Sequence, residues 1–139
     1  MQHFLDTYVD ADGRVVRHDQ GGDTVSEGQA YALLGAVAVG DRDRFERIWR
    51  WTRTHLERRS DGLLASHWED GRVVDPQPAA DADLDTARAL LLAARRFPNE
   101  RSYHRQAIEV AAAILEQETV DVAGRPVLVA GPWASTDAP

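Results

Sequence analysis

No cysteine occurs in the 139 residues, which excludes disulfides and thiolate metal sites. No apolar run approaches the roughly twenty residues of a membrane span. The opening MQHFLDTYVD has neither a basic segment nor an apolar stretch, so no signal peptide is expected, and nothing in the chain fixes a location. The five histidines, His3, His18, His55, His67 and His104, form no pair at helical ligand spacing and no H-E-x-x-H, so no metal is expected. GGDTVSEG, from Gly21 to Gly28, lacks the lysine of a phosphate loop and the dinucleotide glycine pattern, and Ser26 sits in no G-x-S-x-G elbow. No cofactor is expected either. Positive charge is short, with 16 Lys+Arg against 23 Asp+Glu and a net charge of −7. That balance argues against nucleic acid or an anionic membrane as partner.

What is present reads as one domain, all-α, with 43% hydrophobic residues. Helical spacing predicts four helices, over about 27–39, 42–57, 82–96 and 100–118. Ala30, Leu33, Leu34 and Val37 share a face of the first. Phe45, Ile48, Trp49, Thr52 and Leu56 do so on the second, with Trp51 off that face as a rim or interface residue. LDTARALLLAA in the third is apolar nearly all round, as expected of a helix buried on several sides. Tyr103, Ala107, Val110, Ala111, Ile114 and Leu115 point inward from the fourth. Three extended pieces, VDADGRVV, WEDGRVV and VDVAGRPV, each read as strand, Gly turn, strand. Their glycines, Gly13, Gly71 and Gly124, lie 58 and 53 residues apart by subtraction. Two helices fall between successive turns, so the repeating unit is turn, helix, loop, helix. Such units close into a toroid of helical hairpins or stack as a solenoid, and about two are present. VAGPWASTDAP at the end reads as a strand running into a loop.

Two acidic places can carry chemistry. Thr24-Val25-Ser26-Glu27 is a capping box, T-x-x-E, and Ser26 to Gln29 offers a second. Glu27 can therefore be a helix cap. Two details point elsewhere: Gly28, a poor helix former, leaves room for close approach, and Tyr31 lies one turn on, on the same face. The second place is PAADADLDTA, where Asp81, Asp83 and Asp85 alternate at a helix start. Acids are favoured there by the helix dipole. A calcium loop fails, because its sixth and twelfth positions would be Thr86 and Leu92. Three acids exceed what capping needs, and crowded carboxylates raise one another's pKa. Trp49 reads as core. Trp68 and Trp133, in extended pieces beside acids, are either loop anchors or the indoles on which a sugar ring stacks.

With these residues in hand, the chain resembles glycoside hydrolase family 8, the endoglucanase and related β-glycanase family. The resemblance is carried by S-E-G-Q-x-Y and A-x-D-A-D-L-D together, in order, with DGLLASHWEDGRVVD between them and VLVAGPWA after. It implies an (α/α)6 barrel and inverting hydrolysis of a β-1,4-linked glucan or related polysaccharide. By motif position it implies Glu27 as general acid and Asp81 as the acidic residue near the scissile sugar. It further implies Asp83 close behind, and Tyr31 and Trp68 along the substrate cleft. An inverting pair sits about 6.5–9.5 Å apart, leaving room for water. Glu27 would need shelter or a nearby negative charge to hold its proton. Departures from the family pattern are Ala80 for Ser or Thr, Ala30 and Ala32 for Gly, Thr86 for Ile or Met, and Ser66 for Trp. Family members are more than twice as long, and their base lies downstream. The chain is thus expected to be the N-terminal half of the catalytic domain, residues 1–139, possessing part of a barrel whose bare faces invite self-association. Family members are typically secreted or periplasmic. The rival expectation is a helical module that binds glycan or a partner chain without turnover; a fragment with no function of its own is the remaining one.

Overall fold

A computed structural model describes residues 1–98 and 100–134. Among them are five α-helices: α1 (Gln2–Tyr8), α2 (Ser26–Val39), α3 (Arg42–His55), α4 (Ala80–Arg96) and α5 (Ser102–Gln117). Two small antiparallel sheets accompany them. One holds β1 (Thr24–Val25), β2 (His67–Glu69) and β3 (Arg72–Asp75); the other holds β4 (Thr119–Val122) and β5 (Arg125–Leu128). The four expected helices are found within two residues of their predicted ends. The fifth, α1, was not anticipated; it is short and seats Leu5 in the core.

All three Gly turns reverse the chain. At β2–β3 the turn residues Asp70 and Gly71 have φ of 48° and 80°. At β4–β5, Ala123 and Gly124 have φ of 55° and 76°. Two successive positive φ values match the right-handed twist of a two-residue hairpin. The first turn closes with a single Val9–Val15 bridge. Its Gly13 has φ +98°, and a Cβ there would lie 2.2 Å from the Arg47 carbonyl oxygen. Only glycine lets the turn sit on the back of α3. The order of turn, two helices, turn, two helices, turn therefore holds along the chain.

α2 packs against α3 and α4, and α4 against α5. The core joins Leu5, Leu33, Phe45, Ile48, Trp49, Leu90, Ala93, Tyr103 and Ile114, among others. Phe45 meets the rings of Tyr103 and Phe97 at centroid distances of 5.0 and 6.1 Å. Asp41 caps α3 by accepting from the Arg44 N–H at 3.0 Å. Trp51 corrects the sequence reading: it is buried with Leu56 and Leu64 in a second, smaller cluster against Trp68. Off-face on α3 here means facing another core, because the 56–66 loop folds over that side. Ala111 and Leu115 of α5 are also corrected, since both are exposed; Ala113 takes the inward place. Leu84 and Leu92 of α4, with Ile108 of α5, are exposed too. The last residues of VAGPWASTDAP, 135–139, lie outside those described; Pro132–Ala134 form a 3-10 turn.

Candidate active site

The start of α2 is built differently from a capping box. Its N-cap is Val25, with no side-chain cap bond. The Thr24 hydroxyl instead donates to the Val15 carbonyl at 2.7 Å and accepts from Arg14 Nε at 2.8 Å. Ser26 Oγ donates to Glu27 Oε2 at 3.2 Å. Gln29 is fully buried, and its Oε1 accepts from the Val15 N–H at 2.5 Å. Its Nε2 donates to the Gly13 carbonyl at 3.3 Å and to Thr52 Oγ1 at 2.8 Å. The polar residues of TVSEGQ thus tie the N-terminal loop and α3 to the helix start. Glu27 is the exception: it is exposed, and its recorded side-chain contact is with Ser26.

Glu27 and Tyr31 face one groove of about 500 Å³, which Arg17, Asp19, Gly28 and Asp85 also line. Tyr31 is 48% exposed and stands edge-on to Phe4, with centroids 4.9 Å apart. Arg17 brings positive charge toward Glu27. The guanidinium is held by both Asp23 oxygens, with Nε–Oδ1 at 2.8 Å. His67 Nε2 meets Asp23 Oδ2 at 2.7 Å from the other side. The Arg17 hydrogen bond, and then His67, hold the buried Asp23 carboxyl below its ordinary range. Arg17, Asp19 and Asp85 were not expected in this groove. Asp85 had a readable signal: it lies four residues from Asp81, on the same helix face, while Asp83 faces the opposite way.

The two acidic places meet at one end of the molecule. Segment 64–66 runs between the starts of α2 and α4. Ser66 O accepts from the Ser26 N–H at 2.9 Å, and the Ser66 N–H donates to Gln77 O at 3.0 Å. The Leu64 N–H donates to Asp83 Oδ1 at 3.1 Å. α2 and α4 therefore begin side by side. Asp81 is exposed there, its Oδ1 accepting from the adjacent Ala82 N–H at 2.9 Å. Asp83 has no exposed surface, so its carboxyl meets the protein and not the solvent. Burial pushes its pKa up to about 8, against the opposing pull of the Leu64 N–H. Trp68, paired with Thr24 across β1–β2, is half-buried. Arg14 lies 4.4 Å over its ring, and Trp51 meets it edge-on at 5.4 Å. Glu27 and Tyr31 thus share the groove, while Asp81, Asp83 and Trp68 are not among its lining residues. Among the described residues, no three His, Cys, Asp or Glu side chains converge to hold a metal.

The chain is similar to known proteins over nearly its whole length. The family model described as "Glycosyl hydrolases family 8" matches residues 2–138. A "Probable endoglucanase" of Novacetimonas hansenii is 34% identical over 92% of this chain and 38% of its own length. An "Endoglucanase" of Cellulomonas uda is 34% identical over 94% of the chain and 37% of its own. The solved endo-beta-1,4-glucanase CMCax of Acetobacter xylinum superposes with a TM-score of 0.88 at 33% identity, covering 97% of this chain and 43% of that one. The chain spans about two-fifths of the length of the relatives it matches.

Proposed function

The chain belongs to glycoside hydrolase family 8, and from that premise we propose that it contributes the acid half of an inverting endo-hydrolysis of β-1,4-glucan. The observation that carries this is the solvent-open groove shared by Glu27 and Tyr31, at the end where α2 and α4 both begin. Glu27 is the general acid: its Oε protonates the glycosidic oxygen as the bond breaks. Asp81 is the second carboxylate beside the scissile sugar. Tyr31 lies along the sugar chain, with Trp68 behind it. Asp83 supports the α4 start from within. A Cβ at Gly28 would meet Val15 Cγ1 at 3.4 Å, an ordinary contact. Packing within the chain does not demand glycine, which fits a residue left small for a ligand. The base that activates water belongs to the family's downstream length. The chain is the N-terminal part of the family's α/α toroid, and self-association would cover exposed apolar residues such as Leu84, Leu92, Ile108 and Leu115.

The second reading is a glycan-binding module without turnover, favoured by a Glu27 groove that Asp81 does not line. Reducing-sugar release from carboxymethylcellulose, mixed β-glucan, xylan and chitosan separates the two. The proposal expects Glu27→Gln to lower any hydrolysis by roughly 10²–10⁴-fold. Equal rates in both proteins would remove Glu27 as the acid. Binding without hydrolysis, unchanged by Glu27→Gln, would establish the module. Were the chain active alone, the base would have to come from its own groove, and Asp85→Asn and Asp19→Asn would identify it.

A further inference from the structure

Behind the α4 start lies a set of buried polar atoms. Asp83 Oδ2, Thr86 Oγ1 and both Glu118 carboxyl oxygens are buried and make no hydrogen bond among the described residues. Asp83, Thr86 and Glu118 each have no exposed surface. Native interiors leave few such atoms, and each calls for a physical cause. The two acids join three segments. Asp83 on α4 holds the 56–66 loop through the Leu64 N–H. Glu118 ends α5, and its carbonyl accepts from the Val129 N–H at 2.8 Å. The next residue, Ala130, just beyond β5, accepts from the Ala80 N–H at 3.0 Å, at the first residue of α4.

The charges facing the two acids are those of Arg59, Asp61 and Asp81. Arg59 is the cation among them, and it is already bound to Asp61 through Nη2–Oδ2 at 2.6 Å and Nε contacts at 3.1 Å. A buried carboxylate without a cation or donor is expensive, and such a group takes up a proton instead. Metal coordination is the other way to satisfy it, but the described residues form no cage of three such ligands. Protonation removes the charge that burial penalises.

We propose that Asp83 and Glu118 stay carboxylic acids in the folded protein well above the ordinary carboxylate range, and that this protonated pair positions Asp81 by holding the first turn of α4 to the 56–66 loop and to segment 129–130. Ionisation of the pair as pH rises through neutrality releases that turn. The importance of Asp81 rests on the glycosidase reading; the protonation of the pair does not. Burial holds the Asp83 carboxyl up to about 8 and that of Glu118 up to about 7, with Arg59 pulling Glu118 down and Asp61 and Asp81 pushing it up.

Carboxyl-carbon NMR of the unmutated chain tests the first half directly. Two titrations are expected far above the usual carboxylate range, near 8 and 7, assigned to Asp83 and Glu118 by their loss in Asp83→Asn and Glu118→Gln. Midpoints near the usual ~4 for both would overturn the proposal. Amide exchange tests the second half without needing activity. Protection of the Ala80, Ala82 and Asp83 amides should fall between pH 6 and 9, by more than tenfold beyond the intrinsic base-catalysed rise in exchange. In the double variant that extra fall should vanish. Protection that is independent of pH in the unmutated chain, or equally pH-dependent in the double variant, would refute a positioning role. If Glu27→Gln retains full hydrolysis, Glu27 is removed as the acid, and if no hydrolysis is found at all the glycosidase reading fails; in either case these two measurements still decide the pair.

Discussion

Replacing Gln29 by leucine tests whether the SEGQ segment is held by hydrogen bonds from its fully buried glutamine. Three bonds are lost: from the Val15 N–H at 2.5 Å, to Gly13 O at 3.3 Å and to Thr52 Oγ1 at 2.8 Å. Leucine is of similar size, so cavity formation adds little. Each net bond is worth about 1 kcal/mol, and a buried donor left unpaired costs about 1–3 kcal/mol. Val15 is such a donor, since its N–H loses the partner recorded for it. Thr52 suffers less, because its hydroxyl still donates to Ile48 O at 2.8 Å. The sum is about 3–4 kcal/mol, a fall in Tm of roughly 10 °C for a chain of this length. Urea unfolding measures it, with Thr52→Val and the double variant completing a cycle. The Gln29–Thr52 coupling should exceed about 0.5 kcal/mol, the level expected of contacting residues. A Gln29→Leu loss below about 1 kcal/mol would show that apolar packing, and not this polar knot, fixes the start of α2.

Further outcomes are expected at other positions. Phe45→Ala should lose about 3–5 kcal/mol in denaturant titration, because a fully buried ring between Phe97 and Tyr103 is removed. Gly13→Ala should cost about 3 kcal/mol or more by the same measurement, because strain at φ +98° adds to a Cβ placed 2.2 Å from Arg47 O. Gly62→Ala, at φ +82° with nothing within 4 Å of the added Cβ, should cost only about 1 kcal/mol. Arg14→Lys should alter Trp68 fluorescence and lower stability, since lysine cannot both stack at 4.4 Å over the indole and donate through a fork to Thr24 and Gly22.

Much of this fold was legible because helical spacing and turn chemistry are local. Phe45, Ile48, Trp49, Thr52 and Leu56 repeat at helical intervals, and all five are buried. Asp70-Gly71 and Ala123-Gly124 mark hairpins wherever the chain places them. What failed was non-local. Helical spacing places Trp51 at a rim or interface because its burial depends on a loop that starts five residues later. The T-x-x-E pattern matched a capping box, but the Thr24 hydroxyl found Val15 O, nine residues back, so a tertiary bond displaced the local one. Leu115 was assigned inward because its spacing fits, yet Glu118 continues the stripe through Tyr103, Ala107, Val110 and Ile114. An acid on that stripe was the available sign of a buried polar site. Glu27 and Asp81 were legible as chemistry-bearing residues through motif resemblance; Arg17, Asp19 and Asp85 join Glu27 only through folding.

The two helix starts respond to pH with opposite signs. Near α2, Asp23 is held below its ordinary pKa by Arg17 and His67. Its contribution is present above the unfolded value of about 4 and is lost as pH falls through the folded one. Behind α4, Asp83 and Glu118 are held at about 8 and about 7. The unfolded chain gives up those protons near pH 4 while the fold keeps them. Stability therefore declines from about pH 4 upward, by about 1.4 kcal/mol per pH unit for each proton retained, and levels off once the folded groups ionise. Both starts are held together best where the two ranges overlap, at about pH 4–5. Denaturant titration across pH 3–9 should place the stability maximum there. Asp23→Asn should weaken the acid-side loss, and Glu118→Gln the alkaline-side loss. A maximum at pH 8, or an alkaline limb untouched by Glu118→Gln, would mean that the carboxyls behind α4 ionise freely in the folded protein. The orphaned oxygens would then need another partner.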